Sequence, residues 1–227
     1  MAAGRGERML PMTKAIPKPM APFLSSTLLH QGYKQIEKSI EYIGITVGHH
    51  GAMLGKHALD MGISIVINST DKGNAWWIFN SLFKYLDEPV LVLTADNICR
   101  IDYSMIYQDF LRDDIHQTCM IVGVKPIPGI DGDYIKLDAA SERIITSLSR
   151  TYPQEFYASG IQVINPFAIN KICQGTKFTS DRVSFSDIWE QLICMKKLFK
   201  SSVVPSRWFS VDTIDQLKAA EAYKANW

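Results

Sequence analysis

The chain has 227 residues, of which 47% are hydrophobic and 21% are charged, a composition typical of one globular domain or two small ones. Its 24 Lys and Arg residues nearly balance 23 Asp and Glu residues, so the net charge of +1 predicts neither a nucleic-acid nor a membrane partner. An apolar run of about 18 residues, as a membrane-spanning helix requires, is missing, and four scattered cysteines without a CxxC pair argue against a disulfide framework or a zinc site. These features predict a cytoplasmic protein with reduced thiols.

Short β-branched runs alternate with stretches of helical spacing in the first half of the chain. The predicted strands are Ile43–Val47, Ile63–Asn68, Val90–Ala95 and Cys119–Lys125. Between them, apolar residues recur every three or four positions, as in the series from Ala75 to Leu86. Strands that alternate with helices predict βαβ units. The run Val90–Ala95 lacks polar alternation and is therefore expected to be a central strand that is covered on both faces.

After Lys125 the pattern changes, because prolines and glycines mark a loop that shorter strands follow. These strands are predicted at Tyr134–Leu137, Ile144–Leu148 and Phe156–Ile164. Helices are predicted at Pro166–Cys173, at Phe185–Leu198 and from Thr213 onward, where Thr213 and Gln216 have capping-box spacing. We interpret residues 126–165 as an antiparallel insertion or lid. Residues 1–227 are predicted to form a single α/β domain with a doubly wound, mostly parallel (Rossmann-like) sheet and a small antiparallel insertion.

The opening segment carries the strongest indication of function. The glycines Gly4 and Gly6 allow a tight turn in which successive N–H groups face one anion. Arg8 adds a bidentate phosphate donor, and Lys18 adds a positive charge on a backbone that two flanking prolines restrict. A bare pair of glycines is more often a plain turn, but a plain turn needs neither the arginine nor the lysine.

The segment AAGRGERMLPMT, from Ala2 to Thr13, and the PKP tripeptide around Lys18 resemble the signature AAGxGxRMxPxT…PKP of the nucleotidyltransferases that make nucleotide-sugars from sugar 1-phosphates. The resemblance implies a doubly wound fold whose loop wraps around nucleotide phosphates. It also implies that Arg8 stabilises the reacting phosphates and that Lys18 holds substrate phosphate. The implied phosphate-binding residues are Ala2, Ala3, Gly4, Gly6 and Arg8. Because a hydrophobic strand precedes this signature in the family, we expect such a strand to be encoded upstream of Met1.

Two aspartates are candidates for a divalent metal ion. Asp96 follows the predicted central strand, at the end where open α/β sheets bind ligands, and Asp212 lies in the late motif WFSVDT. Mg²⁺ takes one or two carboxylates besides phosphates and water, and the resemblance assigns it to Asp96, as a catalytic residue, and to an acid of the late motif. In the W-x-D-x-G-T register of many sugar-type members, Ser210 takes the metal position. In the E-x-D-T register of phosphocholine-type cytidylyltransferases, Asp212 is the ligand. Capping of a loop or a helix is the structural alternative for both aspartates.

The remaining candidates concern the base and the acceptor. By the resemblance, the turn-rich link between the second predicted strand and the next helix contacts the base, although asparagines here also suit helix caps. Its nucleotide-binding candidates are Asn68, Gly73 and Asn74. Trp76 and Trp77 are expected either to stack on a base or to pack in the core, and core packing is favoured for at least one of them. The segment YASGI resembles the family's N/S-x-G-I motif. With the nearest later acid, the substrate-binding candidates are Lys18, Ser159, Gly160 and Asp187.

These residues predict a reaction that needs no Ser–His or Cys–His pair. A phosphate-bearing acceptor is already anionic, so an enzyme has to orient it and neutralise charge on an α-phosphate. We expect transfer of a nucleoside monophosphate from an NTP to a sugar 1-phosphate, with Mg²⁺ as cofactor, pyrophosphate as leaving group and a role in polysaccharide supply. The alternatives are a cytidylyltransferase acting on a phospho-alcohol such as phosphocholine, and a catalytically silent nucleotide-binding subunit of the same fold. A homo-oligomer is compatible with the sequence.

Overall fold

The computed structural model describes residues 1–112 and 118–225. The strands among these residues are β1 (Pro22–Phe23), β2 (Ser26–Thr27), β3 (Gly44–Val47), β4 (Ile65–Asn68), β5 (Val90–Leu93), β6 (Asn97–Arg100), β7 (Cys119–Val124), β8 (Tyr134–Asp138), β9 (Ser141–Ser149), β10 (Tyr157–Ile164), β11 (Leu198–Lys200) and β12 (Arg207–Ser210). The helices are α1 (Leu28–Ile36), α2 (Gly51–Asp60), α3 (Trp76–Asn80), α4 (Tyr103–Leu111), α5 (Pro166–Ile172), α6 (Thr176–Thr179), α7 (Phe185–Cys194) and α8 (Ile214–Ala225). None of these helices combines the length and the apolar character that crossing a membrane requires.

The described residues form two compact units. The first unit comprises residues 1–71, 94–99 and the chain from residue 208 onward. The second unit comprises residues 72–93 and 100–207. The prediction of one domain over residues 1–227 stays a prediction, since two compact units can also belong to one domain.

The first unit is built on a parallel pair of strands. β3 and β4 pair along their whole length, and α2 lies between them in the chain, as the predicted βαβ unit requires. Ala2 donates its N–H to Thr46 O at 3.1 Å, and Ala95 donates its N–H to Met1 O at 3.0 Å. The first residues of the chain therefore run between β3 and the segment that begins at residue 94. The core of this unit consists of Ala2, Leu29, Ile45, Val47, Leu54, Ala58 and Ile63.

Helix α1 contains a glycine for which the structure shows no need. The helix begins after Thr27, whose hydroxyl accepts the N–H of His30 at 3.2 Å. Gly32 lies in the middle of the helix, and a Cβ there would meet no atom within 4 Å. We expect Gly32→Ala to raise the free energy of unfolding by about 1 kcal/mol, because alanine has the higher helix propensity and loses less backbone entropy on folding. Urea denaturation measures this change.

The matched control for Gly32→Ala is Gly62→Ala in the same unit. Gly62 has a φ of +94°, which an alanine adopts only with strain, so this variant is expected to be less stable than the wild type. A free energy of unfolding for Gly32→Ala at or below the wild-type value contradicts the prediction.

The second unit contains a six-stranded sheet in the order β5–β10–β7–β11–β9–β8. β7 and β11 pair in parallel, whereas β10 runs antiparallel to β5, β7 and β8, and β9 runs antiparallel to β8 and β11. Each antiparallel ladder described for this sheet therefore includes a strand of the predicted insertion, residues 126–165. Outside that segment, the ladders β3–β4 and β7–β11 are parallel, and the two-residue strands β1 and β2 form an antiparallel pair. The predicted α/β architecture with an antiparallel insertion is confirmed.

The insertion contributes to the sheet itself. Although its sequence position suggested a lid, its last strand, β10, lies inside the sheet between β5 and β7. Most side chains of β10 are buried, as expected for a strand covered on both faces. A bulge between Ala158 and Gln162 interrupts its pairing with β7, and Gly160 adopts a φ of +78° there. The glycine is needed for this backbone conformation.

Candidate active site

The glycine loop folds back onto Lys18. Gly6 adopts a left-handed conformation with a φ of +64°, and its carbonyl accepts a hydrogen bond from the buried Thr13 hydroxyl at 3.0 Å. A Cβ at Gly6 would lie 2.9 Å from the Lys18 Cβ, so both the conformation and the close approach require glycine. Gly4 differs, because a Cβ there would meet nothing within 4 Å. The fold thus explains Gly6, whereas Gly4 leaves open space beside the loop backbone.

The start of the glycine loop lies against the end of β3. His49 donates its N–H to Ala3 O at 3.2 Å. A Cβ at Gly48 would lie only 2.5 Å from the same carbonyl oxygen, so the two backbone segments are closely packed. These contacts hold the predicted phosphate-binding residues Ala2 and Ala3 at the carboxyl end of β3. In α/β proteins this is the edge of the sheet at which ligands bind.

Four charged side chains that were predicted for the site converge in the first unit. Lys18 Nζ lies 2.7 Å from Asp96 Oδ2 and 2.8 Å from Asp212 Oδ1, and Arg8 Nη2 lies 3.0 Å from the same Asp212 oxygen. The side chains of Lys18 and Asp212 are 13% and 19% exposed, whereas that of Arg8 is 61% exposed. The two lysine contacts join residues that are 78 and 194 positions apart in the chain. The structure therefore brings together residues that the sequence nominates separately.

Backbone and helix-cap hydrogen bonds position the two carboxylates. Val211 donates its N–H to Asp96 O at 3.0 Å, which ties the two acidic loops together. Gln216 Oε1 accepts the N–H groups of Asp212 at 2.7 Å and of Thr213 at 3.1 Å, and Thr213 Oγ1 accepts the N–H of Gln216 at 3.1 Å. The predicted capping interaction is confirmed. The sequence analysis does not predict that Gln216 of this cap also holds the backbone N–H of Asp212, although the T-x-x-Q spacing indicates the cap.

The carboxylate pair suits a hard divalent cation. Asp96 Oδ2 and Asp212 Oδ1 already meet at one positive charge, the Lys18 ammonium, so their arrangement accommodates a cation. Among the described residues, no group of three or more His, Cys, Asp or Glu side chains has the arrangement of a metal site. Mg²⁺ at this position would therefore take its other ligands from phosphates and water, as it commonly does. The acid of the late motif that faces Lys18 is Asp212.

The base-binding candidates Gly73 and Asn74 contact the protein's own chain in the second unit. Gly73 donates its N–H to Asp181 O at 2.7 Å, and a Cβ at Gly73 would lie 1.9 Å from Val183 O. Asn74 Oδ1 accepts the N–H of Phe185 at 2.8 Å. Gly73 is thus required for the close approach of two backbone segments within the second unit. Base binding by these two residues stays a prediction.

Asn68, Trp76 and Trp77 also make contacts with other residues of the chain, each within its own unit. Asn68, in the first unit, accepts the N–H of Thr70 at 3.0 Å and its hydroxyl at 2.7 Å, which forms an Asx turn. Trp77 is 5% exposed and packs edge-on against Phe83 with ring centroids 5.2 Å apart. The expected core packing of at least one tryptophan is confirmed. Trp76 remains partly exposed and donates its indole N–H to Asp181 Oδ1 at 3.1 Å.

Apart from Lys18, the acceptor candidates Ser159, Gly160 and Asp187 have structural roles in the second unit. Ser159 Oγ accepts the N–H two residues further along the chain at 3.1 Å, beside the positive φ of Gly160. Asp187 forms a capping box with Ser184 at the start of α7, and its Oδ1 lies 3.1 Å from Lys177 Nζ. Burial opposes ionisation of Asp187, but the hydrogen bonds from Ser184 and Lys177 prevail and lower the pKa of its carboxyl. Substrate binding by these residues stays a prediction.

A polar pocket of about 390 Å³ in the second unit was missed by the sequence analysis. Its lining residues are Tyr134, Lys136, Ser147, Ser149, Tyr152 and Gln154. None of the predicted acceptor residues belongs to this lining. Four of the residues stand at i and i+2 in β8 and β9, and such spacing places side chains on one face of a hairpin. In the sequence, polar residues at every second position of β8 and β9 indicate the face of the hairpin on which this pocket lies.

Comparison with known proteins gives concordant results. The family model described as "Nucleotidyl transferase" matches residues 1–224. The chain is 26% identical over 190 residues to the UTP–glucose-1-phosphate uridylyltransferase of Pseudomonas aeruginosa, covering 68% of this chain and 67% of that protein. It is 25% identical over 240 residues to the N-acetylmuramate α-1-phosphate uridylyltransferase of Neisseria meningitidis, covering 100% and 97%. The crystal structure of a putative glucose-1-phosphate thymidylyltransferase from Bacillus anthracis matches with a TM-score of 0.78 at 15% identity, covering 100% and 94%. This structural likeness confirms the Rossmann-like α/β fold.

Proposed function

The chain belongs to the nucleotidyl transferase family, and from this premise we propose that it transfers a nucleoside monophosphate from an NTP to a sugar 1-phosphate. The observation that carries the proposal is the convergence of Arg8, Lys18, Asp96 and Asp212 beside the glycine loop. Two cations and two carboxylates at one point can neutralise a triphosphate and hold a divalent metal ion. A turn with a purely structural role needs neither these two cations nor these two carboxylates.

The residues of this cluster support an in-line displacement. The acceptor phosphate oxygen attacks the α-phosphorus of the NTP, the bond from the α-phosphorus to the bridging oxygen breaks, and pyrophosphate leaves. The attacking oxygen carries no proton at neutral pH, so no general base is required. Arg8 and Lys18 neutralise the negative charge that builds up on the phosphates, and the N–H groups of the glycine loop orient them. A divalent cation such as Mg²⁺, held by Asp96 and Asp212, supplies further charge neutralisation when it is bound.

The names of the relatives support the choice of acceptor. Both relatives named above are uridylyltransferases that act on a sugar 1-phosphate, and one of them aligns with this chain over nearly its whole length. We therefore propose a sugar 1-phosphate as acceptor and place UTP first among the nucleotides to be tested. Magnesium dependence, the cytoplasmic location and the supply of polysaccharide precursors belong to the same proposal.

One observation favours a second candidate, the transfer of CMP to a phospho-alcohol such as phosphocholine. The late-motif residue that contacts Lys18 and Arg8 is Asp212, which agrees with the E-x-D-T register of phosphocholine-type cytidylyltransferases. The sugar-type register places the metal ligand at residue 210, where this chain has serine. The two candidates share the first half of the reaction and differ in the acceptor.

Pyrophosphate release separates the candidates. The purified chain is incubated with each of the four NTPs and Mg²⁺, together with a panel of sugar 1-phosphates and with phosphocholine. We expect release with UTP and at least one sugar 1-phosphate, and none without acceptor. Release only with CTP and phosphocholine establishes the second candidate. Nucleotide binding without release in any combination refutes both and identifies a catalytically silent subunit.

A further inference from the structure

The two side chains proposed to bind phosphate are bound, in this structure, to the two carboxylates proposed to bind metal. The Lys18 ammonium contacts one oxygen of Asp96 and one of Asp212, at 2.7 and 2.8 Å. Arg8 contacts the same Asp212 oxygen at 3.0 Å. Two positive and two negative charges of the protein therefore neutralise one another.

Lys18 occupies the position that a metal ion needs. Its ammonium lies between the carboxylate oxygens that converge on it, and its side chain is only 13% exposed. A divalent cation cannot share this position, because two cations at such short distances from the same oxygens repel each other strongly in a poorly solvated site. A metal ion that binds between these two oxygens therefore requires the ammonium to leave them.

We propose that Lys18 closes the Asp96–Asp212 pair to a divalent cation until a triphosphate draws the ammonium away, so that metal ion and nucleotide bind cooperatively. The inference rests on the proposed function, because it takes the phosphates of an NTP as the new partner of Lys18. It adds a function for Lys18 in the absence of substrate, as the cation that keeps the metal position filled.

The physical reason is an exchange of ion pairs. A metal ion that enters alone leaves the Lys18 ammonium largely buried without a partner. A triphosphate that enters alone removes the cation between the two aspartates and leaves neighbouring carboxylates that repel each other and the phosphates. When both enter, each charge finds a new partner. Each ligand thus raises the affinity of the other, and this coupling is equal in both directions.

The test measures metal binding rather than activity. Mn²⁺ is titrated into the protein without nucleotide, and the free ion is followed by electron paramagnetic resonance. We expect Lys18→Met to bind Mn²⁺ about tenfold more tightly than the wild type, because the competing ammonium is gone. In the wild type, a saturating α,β-methylene NTP is expected to tighten Mn²⁺ binding by a similar factor after subtraction of the Mn²⁺ that the same nucleotide binds without protein, and in Lys18→Met this gain is expected to shrink. Equal or weaker binding of Mn²⁺ alone by Lys18→Met overturns the proposal.

Three controls make the result specific. Lys14→Met removes an exposed lysine from the same loop and should leave Mn²⁺ affinity unchanged. Lys18→Met combined with Asp96→Asn should lose the gain, because one metal ligand is missing. Lys18→Gln repeats the test with a polar side chain if the methionine variant does not fold. If the wild type binds no nucleotide with Mn²⁺, the proposed function fails. If it does bind and Lys18→Gln leaves the affinity for Mn²⁺ alone unchanged, only the present inference fails.

Discussion

Replacing Asp96 with asparagine is expected to lower the rate of pyrophosphate release about a thousandfold while the protein remains folded. The substitution keeps the size of the side chain but removes the negative charge that faces Lys18 at 2.7 Å. Under the proposed function, the loss of this charge weakens the binding of a divalent cation and removes neutralisation that the α-phosphate needs in the transition state. Steady-state assays of pyrophosphate, with circular dichroism as a check of folding, measure the effect.

Asp60→Asn is the matched control for Asp96→Asn. Asp60 lies in the same unit on the exposed face of α2, and its carboxylate pairs with Lys56 at 2.6 Å. Exposed ion pairs contribute little to stability, so this variant should retain wild-type turnover and stability.

Asp212→Asn is expected to lower the rate of pyrophosphate release as Asp96→Asn does. Ser210→Ala should keep its activity if Asp212 is the second metal ligand. Wild-type turnover by Asp96→Asn contradicts the assignment.

Replacing Asp109 with alanine is expected to lower the free energy of unfolding by about 3–5 kcal/mol. The carboxylate lies in the second unit on α4 and is 3% exposed. Ser201 Oγ and Ser202 Oγ each donate to it at 2.7 Å, and the N–H of Ser202 donates at 2.9 Å. Arg143 Nη2 lies 3.5 Å away. Truncation leaves the three donors of Ser201 and Ser202 without this buried acceptor and removes the negative charge that faces Arg143, and a buried donor that loses its partner costs the free energy of its desolvation.

Urea denaturation measures this loss, and Asp102→Ala serves as control on the same helix. Asp102 caps the start of α4 through the N–H groups of Ser104 and Met105, and loss of such a cap costs about 1 kcal/mol. If Asp109→Ala loses no more stability than Asp102→Ala, the buried network does not stabilise the second unit as proposed.

The contribution of Asp109 should depend on pH. Burial by itself opposes ionisation, but the hydrogen bonds from Ser201 and Ser202 and the charge of Arg143 prevail and lower the pKa of Asp109 below its ordinary value of 3.8. A group whose pKa is lower in the folded state stabilises the protein above its unfolded pKa, and it loses this contribution as pH falls through the folded value. The stability difference between wild type and Asp109→Ala should therefore be constant near neutral pH and shrink below about pH 4.

Local features of the chain were predicted well because they depend on neighbours in sequence. The glycine at position 6 adopts the left-handed conformation that the loop needs, and Thr213 with Gln216 forms the predicted helix cap. The strands β3 and β7 lie close to their predicted bounds, since continuous β-branched runs need no distant partner to be recognised.

Other features were not predicted because they depend on residues far apart in the chain. The position of β10 between β5 and β7 follows from its pairing with both strands, which its own apolar pattern does not specify. The resemblance nominates Gly73 for base binding, which stays a prediction, and the structure adds that this glycine admits the backbone of Val183, a contact that its own segment does not specify. In both cases the same local pattern is compatible with more than one partner.

The sequence by itself determined the chemical inventory of this protein: a glycine loop followed by an arginine and a lysine, two separate aspartates, and an α/β alternation that identifies the fold class. The tertiary structure decided which of these residues meet. The ion pairs of Lys18 with Asp96 and Asp212 span 78 and 194 positions, and contacts of that range form only when the strands and loops between them have packed. Residue type sets which charges are available, whereas the packed backbone sets the distances on which their interaction energy depends.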